Sequence, residues 1–212
     1  VQINHGVNRF PENQIYTEQI MSPFRNPTGK KSEDESLSDK AMTTLGSQSK
    51  LREGHYVHHF SINPLNLLPL YRLIENVKNE KNNLLSIPEK QQKISKLTEA
   101  DIEKLKEAFQ YGATYYDSAS KAGTENELLL WVELNENENF VLPNFTELIT
   151  VNRENEKVKI DLTKVFKLLE SVKEKISNIE VYFNELITNV VGIDNNSNII
   201  KKYELYKIKK NN

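Results

Sequence analysis

Apolar residues in this chain never run longer than five, from Leu128 to Val132, within 212 residues. This limits the fold more than any other feature. A membrane-spanning helix needs about 20 apolar residues in succession, so none is expected. The core must instead be assembled from short strands and one-sided helices. With 37% apolar and 27% charged residues, the chain is polar for a globular protein but too apolar for a wholly disordered one. No apolar N-terminal segment reads as a secretory signal. The absence of Cys excludes disulfides, Cys-ligated zinc and thiol catalysis. The 28 Lys and Arg against 30 Asp and Glu give a net charge of −2, which as a total argues against a nucleic-acid partner. The length suits one domain, or one domain with a sizeable insertion. The chain opens at Val1 and not at Met, so it is read as processed or as a fragment of a longer protein that lacks N-terminal strands.

Val1-Gln2-Ile3-Asn4 alternates like the end of a strand. Residues 21–52 carry Pro23, Pro27, Gly29 and Gly46 with no helical apolar period, and are expected to form a long loop or projecting hairpin. Residues 54–62 read as one strand, with Tyr56, His58, Phe60 and Ile62 on one face. Asn63-Pro64 breaks it and opens a helix over 65–78, and the polar stretch 79–97 reads as a surface insertion. Thr98 with Asp101 is an N-cap pair for a helix whose apolar face carries Ile102, Leu105, Ala108 and Phe109 and which ends near Gly112. Leu128–Leu134 reads as a buried strand, and 152–156 as a turn between Ile149-Thr-Val and Val158-Lys-Ile. Leu162, Val165, Phe166, Leu169, Val172 and Ile176 make a helical stripe, and Ile179, Val181 and Phe183 a strand. Residues 201–212, with five Lys and one Glu, read as a basic tail. This order predicts an α+β fold: an antiparallel sheet of the ferredoxin-like kind with its helices on one face.

Chemistry-bearing clusters are few. His55, His58 and His59 lie close together, but on a strand His58 points away from the other two, and no acid stands at ligand spacing. They read as polar strand residues, not as a metal site. Tyr56, His58 and Phe60 read as core, with base stacking on a sheet as the functional alternative. The acidic pairs at 33–35 and 136–138 sit in polar loops with no apolar wall to shift a pKa. No phosphate-binding Gly-rich loop, nucleophile elbow or His-Glu-x-x-His is present, so no positive case for catalysis, cofactor or metal arises. The 21–52 segment differs. Its stems are basic through Arg25, Lys30, Lys31, Lys40, Lys50 and Arg52, its acids cluster mid-loop, and it holds Met21 and Met42. Basic groups and hydroxyls hold phosphates, and apolar side chains wedge between unstacked bases.

In chain order, Val1-Gln2-Ile3, Tyr16-Thr-Glu-Gln-Ile-Met, the basic loop, Thr44-Leu45-Gly46, Tyr56-Val-His-His-Phe-Ser-Ile-Asn-Pro64 and the segment Ser118-Ala-Ser-Lys-Ala-Gly-Thr-Glu-Asn-Glu-Leu-Leu-Leu-Trp-Val-Glu133 are similar to the CRISPR-associated Cas7 family of the RAMP superfamily. The resemblance is closest to the type I-B Cascade backbone subunit and covers residues 1–150. It implies a recognition-motif-like palm over 1–212 with 21–52 as a protruding thumb, and a missing first palm strand. It also implies a cytoplasmic, non-enzymatic protein that binds guide RNA (crRNA), lines up with copies of itself and other Cascade subunits, and meets target DNA through guide pairing, with no membrane. Phosphate contacts are then expected from Arg25, Lys50, Arg52 and Lys121, with Ser120 as a hydroxyl donor. Met21 and Met42 become thumb wedges, and Lys30, Lys31 and Lys40 subunit or RNA contacts. Ala119 stands where many I-B members carry Arg, so one phosphate contact is lost or relocated. Two alternatives stay open: an RNA-cleaving backbone subunit of a type III-like effector, and an interaction protein that ignores nucleic acid. A basic groove needs no basic total, which answers the charge of −2.

Overall fold

The computed structural model describes residues 1–12, 14–21, 45–63, 66, 97–115, 122–136, 138, 140–194 and 197–206. The expected helix over 65–78 and the expected insertion over 79–97 lie outside these apart from Asn66 and Leu97. The chain divides into two compact units: Val7–Val57, and Val1–Gly6 with His58–Asn212.

The described residues of the first of these form four strands. β2 (Val7–Asn8) pairs antiparallel with β5 (Tyr56–Val57), and β3 (Ile15–Met21) with β4 (Leu45–Leu51), in register from Ile15 opposite Leu51 to Met21 opposite Leu45. Phe10 is its buried apolar anchor, edge-on to the His55 ring.

The larger unit holds the core. β1 (Gln2–Ile3) pairs with β6 (Phe60–Ser61). The expected single strand over 54–62 is therefore two short strands, β5 and β6, separated by His58-His59 and paired to different partners. Helix α1 spans Glu99–Tyr115. At its start Thr98 and Asp101 form a reciprocal capping box: Asp101 Oδ2 accepts from the Thr98 backbone N–H (2.9 Å) and hydroxyl (2.7 Å), and Thr98 Oγ1 accepts from the Asp101 N–H (3.2 Å). These bonds hold the Asp101 carboxyl below its ordinary pKa. Gly112 does not end the helix, which runs on to Tyr115, where Asn126 Oδ1 accepts from the Ala113 and Thr114 N–H groups.

β7 (Leu128–Leu134) pairs antiparallel with β10 (Ile176–Phe183), and β10 pairs parallel with β12 (Ile200–Glu204). A second three-stranded sheet joins β8 (Thr150–Glu154), β9 (Lys157–Asp161) and β11 (Thr188–Val191), with β9 central. β8 and β9 are joined by Asn155-Glu156. Asn155 takes φ 57°, a left-handed conformation that Asn tolerates in tight hairpin turns. Register puts Val151, Val158, Ile160 and Thr188 on one face of that sheet, and all four are buried.

Helix α2 (Thr163–Ser171) presents Val165, Phe166 and Leu169, all buried, as its stripe requires. It stops before Ile176, which opens β10. Gly192 (φ 87°) lets the chain pass α2, since a Cβ there would lie 2.3 Å from the Thr163 nitrogen.

The chain is thus mixed α+β, as expected, but its arrangement differs from one continuous antiparallel sheet. The described strands form two three-stranded sheets and three two-stranded ladders. The two helices also meet opposite faces of the β12-β10-β7 sheet, where one face was expected. Lys106 of α1 reaches Glu180, while Phe166 and Leu169 of α2 border a cleft of ≈ 220 Å³ with Ile179. Successive strand residues face opposite ways. Residues 201–204, read as part of a basic tail, belong to β12 (Ile200–Glu204).

The α1 contact is itself unexpected. Ala108 is exposed, and the buried residue of the helix is Lys106, 5% exposed. Its ammonium stands 2.8 Å from Glu180 Oε2, 3.4 Å from Glu103 Oε1 and 3.5 Å from Glu133 Oε1, and 4.9 Å from the Trp131 ring centroid. Tyr182 Oη (2.7 Å) and Asn178 Nδ2 (3.0 Å) also donate to Glu180, and Trp131 Nε1 donates to Glu133 (2.7 Å). Burial alone would lower the Lys106 pKa, but the hydrogen bond and charge of Glu180, with Glu103 and Glu133, hold it above the ordinary lysine value. Burial alone would raise Glu180, but its three donors and the Lys106 charge hold it below the ordinary carboxylate value. The buried charges are thus paired and fully bonded, the condition under which burial is tolerated.

Candidate nucleic-acid interface

The β3–β4 hairpin carries the described candidates. Ile15–Gln19 and Gly46–Ser49 are exposed, so both of its faces meet solvent. Cross-strand register sorts the two faces. One carries Gln14, Tyr16 and Glu18 with Gln48, Lys50 and Arg52; the other carries Ile15, Thr17 and Gln19 with Ser47, Ser49 and Leu51. Thr17 and Ser49 hydroxyls meet at 3.2 Å across the second face.

Lys50 and Arg52 therefore project to the same side, two positions apart. Lys50 Nζ lies 2.6 Å from Glu18 Oε2, and that hydrogen bond, then the Glu18 charge, raises the Lys50 pKa. Arg52 donates from Nη1 to Gln14 Oε1 at 3.0 Å, and its backbone N–H donates to the Gln14 carbonyl at 3.0 Å. A neutral amide thus positions the guanidinium without cancelling its charge. For Lys50 to reach a phosphate it must exchange Glu18, a small cost because exposed ion pairs contribute little to stability.

Met21 closes β3 opposite Leu45. Arg25, Lys30, Lys31, Lys40, Met42, Ser120 and Lys121 lie outside the described residues. Of the expected aromatic face, Tyr56 falls in the smaller unit and His58, Phe60 and Ile62 in the larger one. Tyr56 is 56% exposed on β5, whereas Phe60 on β6 stacks on Phe109 (centroids 4.2 Å) and leans on Trp131 (5.5 Å) in the core. The histidines diverge as well. His55 Nε2 lies 3.0 Å from Glu53 Oε1, His58 Nδ1 3.3 Å from the Asn4 carbonyl, and His59 packs edge-on against Phe145, where burial lowers its pKa. Among the described residues no group of three His, Cys, Asp or Glu side chains is placed to hold a metal ion.

Sequence reasoning missed a basin beside the hairpin root. Asn8, Ile15, Ser49, Lys50, Leu51 and Tyr56 line an open concavity of ≈ 360 Å³. Gly54 packs beneath it: a Cβ there would lie 2.6 Å from Leu51 Cδ2 and 3.0 Å from Tyr56 Cε2. Asn8 is oriented by its Oδ1, which accepts from the Phe10 and His55 N–H groups at 3.0 Å each. The signal available in the sequence was Gly54 just before Tyr56, but the basin also needs the Ile15–Leu51 register, which no local pattern supplies.

The family model for CRISPR-associated protein Cas7 matches residues 1–173. The chain belongs to the Cas7 family. Membership makes it a backbone subunit of a CRISPR effector, from a family whose type I members are typically non-catalytic. The match takes in both described helices and ends before β10, so this Cas7 protein completes its core sheet with strands beyond the matched region. No curated protein and no solved structure matches the chain. No described helix is long and apolar enough to cross a membrane.

Proposed function

We propose that this Cas7 protein is the guide-RNA-binding backbone subunit of a type I CRISPR interference complex, of the I-B kind. It grips the RNA backbone, lines up with further copies and with other Cascade subunits along the spacer, and presents the bases for pairing with target DNA. It works in the cytoplasm and cuts nothing itself. The observation that carries this reading is the family match over residues 1–173 of 212.

The exposed hairpin supports the reading of residues 21–52 as the thumb of a palm that spans 1–212. Lys50 and Arg52 on one side of the hairpin, with Arg25, Lys121 and Ser120, are the phosphate-holding groups. Met21 and Met42 are the wedges, and Lys30, Lys31 and Lys40 meet RNA or the neighbouring subunit. Sequence is read by base pairing while the protein holds backbone and shape.

The test is purification of the protein from cells that carry the CRISPR locus, followed by sequencing of the bound RNA. Guide-length RNAs bearing repeat tags are expected. Random RNA, or none, with no affinity for single-stranded RNA at low salt, would refute the reading. Affinity should fall steeply with salt, with a log–log slope of about −0.7 for each phosphate neutralised on a single strand. Arg52→Ala should reduce that slope by about one phosphate's share.

A further inference from the structure

We propose that the basin at the root of the β3–β4 hairpin is a stacking site for one unpaired nucleobase, with Tyr56 as its platform. The site has meaning only if the chain binds single-stranded RNA, as proposed above, and it adds a base contact to the backbone contacts named there.

Three features of the basin point to a nucleotide. The Tyr56 side chain is exposed at 56% and Ile15 at 68%, and both line the same concavity with Leu51. An exposed aromatic face beside aliphatic walls suits a flat π-system, and base–aromatic stacking tolerates any base. The platform is also built in place. Leu51 and Tyr56 close over Gly54, where a Cβ would press on the Leu51 side-chain tip at 2.6 Å. Asn8, opposite Tyr56 in the β2–β5 ladder, has its carboxamide fixed by two backbone N–H groups. Finally, one wall offers a hydroxyl that a sugar-phosphate can use. Ser49 shares the face of Ile15 and Leu51, and Lys50, whose side chain projects to the opposite face, adjoins the basin beside it. A base on Tyr56 would leave its sugar-phosphate at this edge of the hairpin.

The size of the site argues against a protein occupant. Among the described residues six line it, whereas a specific protein interface takes about 20–30 residues a side. A single planar ring with one charged substituent matches what six residues can hold.

The experiment measures binding of a fluorescent single-stranded RNA to the full chain across a salt series, for wild type, Tyr56→Ala, Tyr56→Phe and Lys50→Ala. Loss of one stacked base should weaken binding about tenfold in Tyr56→Ala, with the salt slope unchanged, because stacking neutralises no phosphate. Tyr56→Phe keeps the ring and should restore affinity to within about twofold. Lys50→Ala should instead flatten the salt slope. An abasic RNA should bind wild type and Tyr56→Ala alike. A misfolded variant would lose affinity and slope together, and Tyr56→Phe guards against that confusion.

If wild type binds RNA and Tyr56→Ala binds equally well, the stacking site is refuted while the RNA-binding reading stands. If Tyr56→Ala leaves RNA affinity intact but weakens self-association in sedimentation, the basin belongs to a protein contact and the proposal is likewise refuted. If wild type ignores single-stranded RNA, the broader reading has failed.

Discussion

Lys106 offers the sharpest test of how this core is held. Replacing it with Met keeps most of the volume and removes the ammonium from among Glu103, Glu133 and Glu180. Breaking a buried pair by removing one partner costs about 3–5 kcal/mol. The structure favours the lower end, about 3 kcal/mol, because Glu180 keeps its Tyr182 and Asn178 donors. Glu180→Gln should cost less, about 2 kcal/mol, the scale of a hydrogen bond to a charged group, since Lys106 retains Glu103 and Glu133. The double variant should cost less than the sum by at least about 1 kcal/mol, as expected for residues in one network. Urea unfolding can be followed through the single Trp, Trp131, which is 5% exposed and lies against Lys106. The pH dependence has a fixed sign. Glu180 is held below its ordinary value, so its contribution is present above the unfolded carboxylate value near 4 and is lost as pH falls through its folded value. Lys106 is held above its ordinary value, so its contribution is complete below the unfolded lysine value near 10 and is lost as pH rises through its folded value. Lys106→Met should therefore show a shallower loss of stability in acid than wild type. A Lys106→Met protein within about 0.5 kcal/mol of wild type, or strictly additive single variants, would show that the network does not hold α1 to the sheet.

Two further outcomes follow from backbone geometry. Thr98→Ala removes the hydroxyl from the capping box and should cost about 1 kcal/mol in the same unfolding assay, with the Asp101 carboxyl moving back up towards its ordinary pKa in a carboxyl titration by NMR. Gly192→Ala adds a Cβ at a positive φ, 2.3 Å from the Thr163 backbone. A loss of at least about 2 kcal/mol is expected, visible as early melting in a thermal scan; an unchanged melting temperature would mean that the turn relaxes freely.

The parts of the fold legible in the sequence are those set by near neighbours. Leu128–Leu134 forms a strand with the expected limits, since a short continuous apolar run suits a buried strand in length. The Leu162, Val165, Phe166 and Leu169 stripe is buried as its spacing demands, and Thr98 with Asp101 caps α1 as their spacing allows. What was missed depends on distant partners. Lys is seldom buried, and Lys106 becomes a core residue only when three carboxylates from α1, β7 and β10 converge on it. Lys201 and Lys202 resemble a tail in composition, yet the backbone of β10 recruits them as an edge strand. At the candidate interface, the basic character of the hairpin was visible in Lys50 and Arg52, but the Glu18 and Gln14 partners required the strand register.

The path of the chain between the two three-stranded sheets has a consequence for how the protein is made. From β7 it enters the second sheet for β8 and β9, returns for β10, leaves again for β11 and comes back for β12. Each sheet receives its last strand only after the other has been joined, so neither can close as a separate early unit during synthesis. A ribosome that has released only residues up to 173, the limit of the family match, has delivered β7 without β10 and β9 without β11. The nascent chain would then carry open strand edges, and with them the hazard of pairing with another chain, until the final strands emerge.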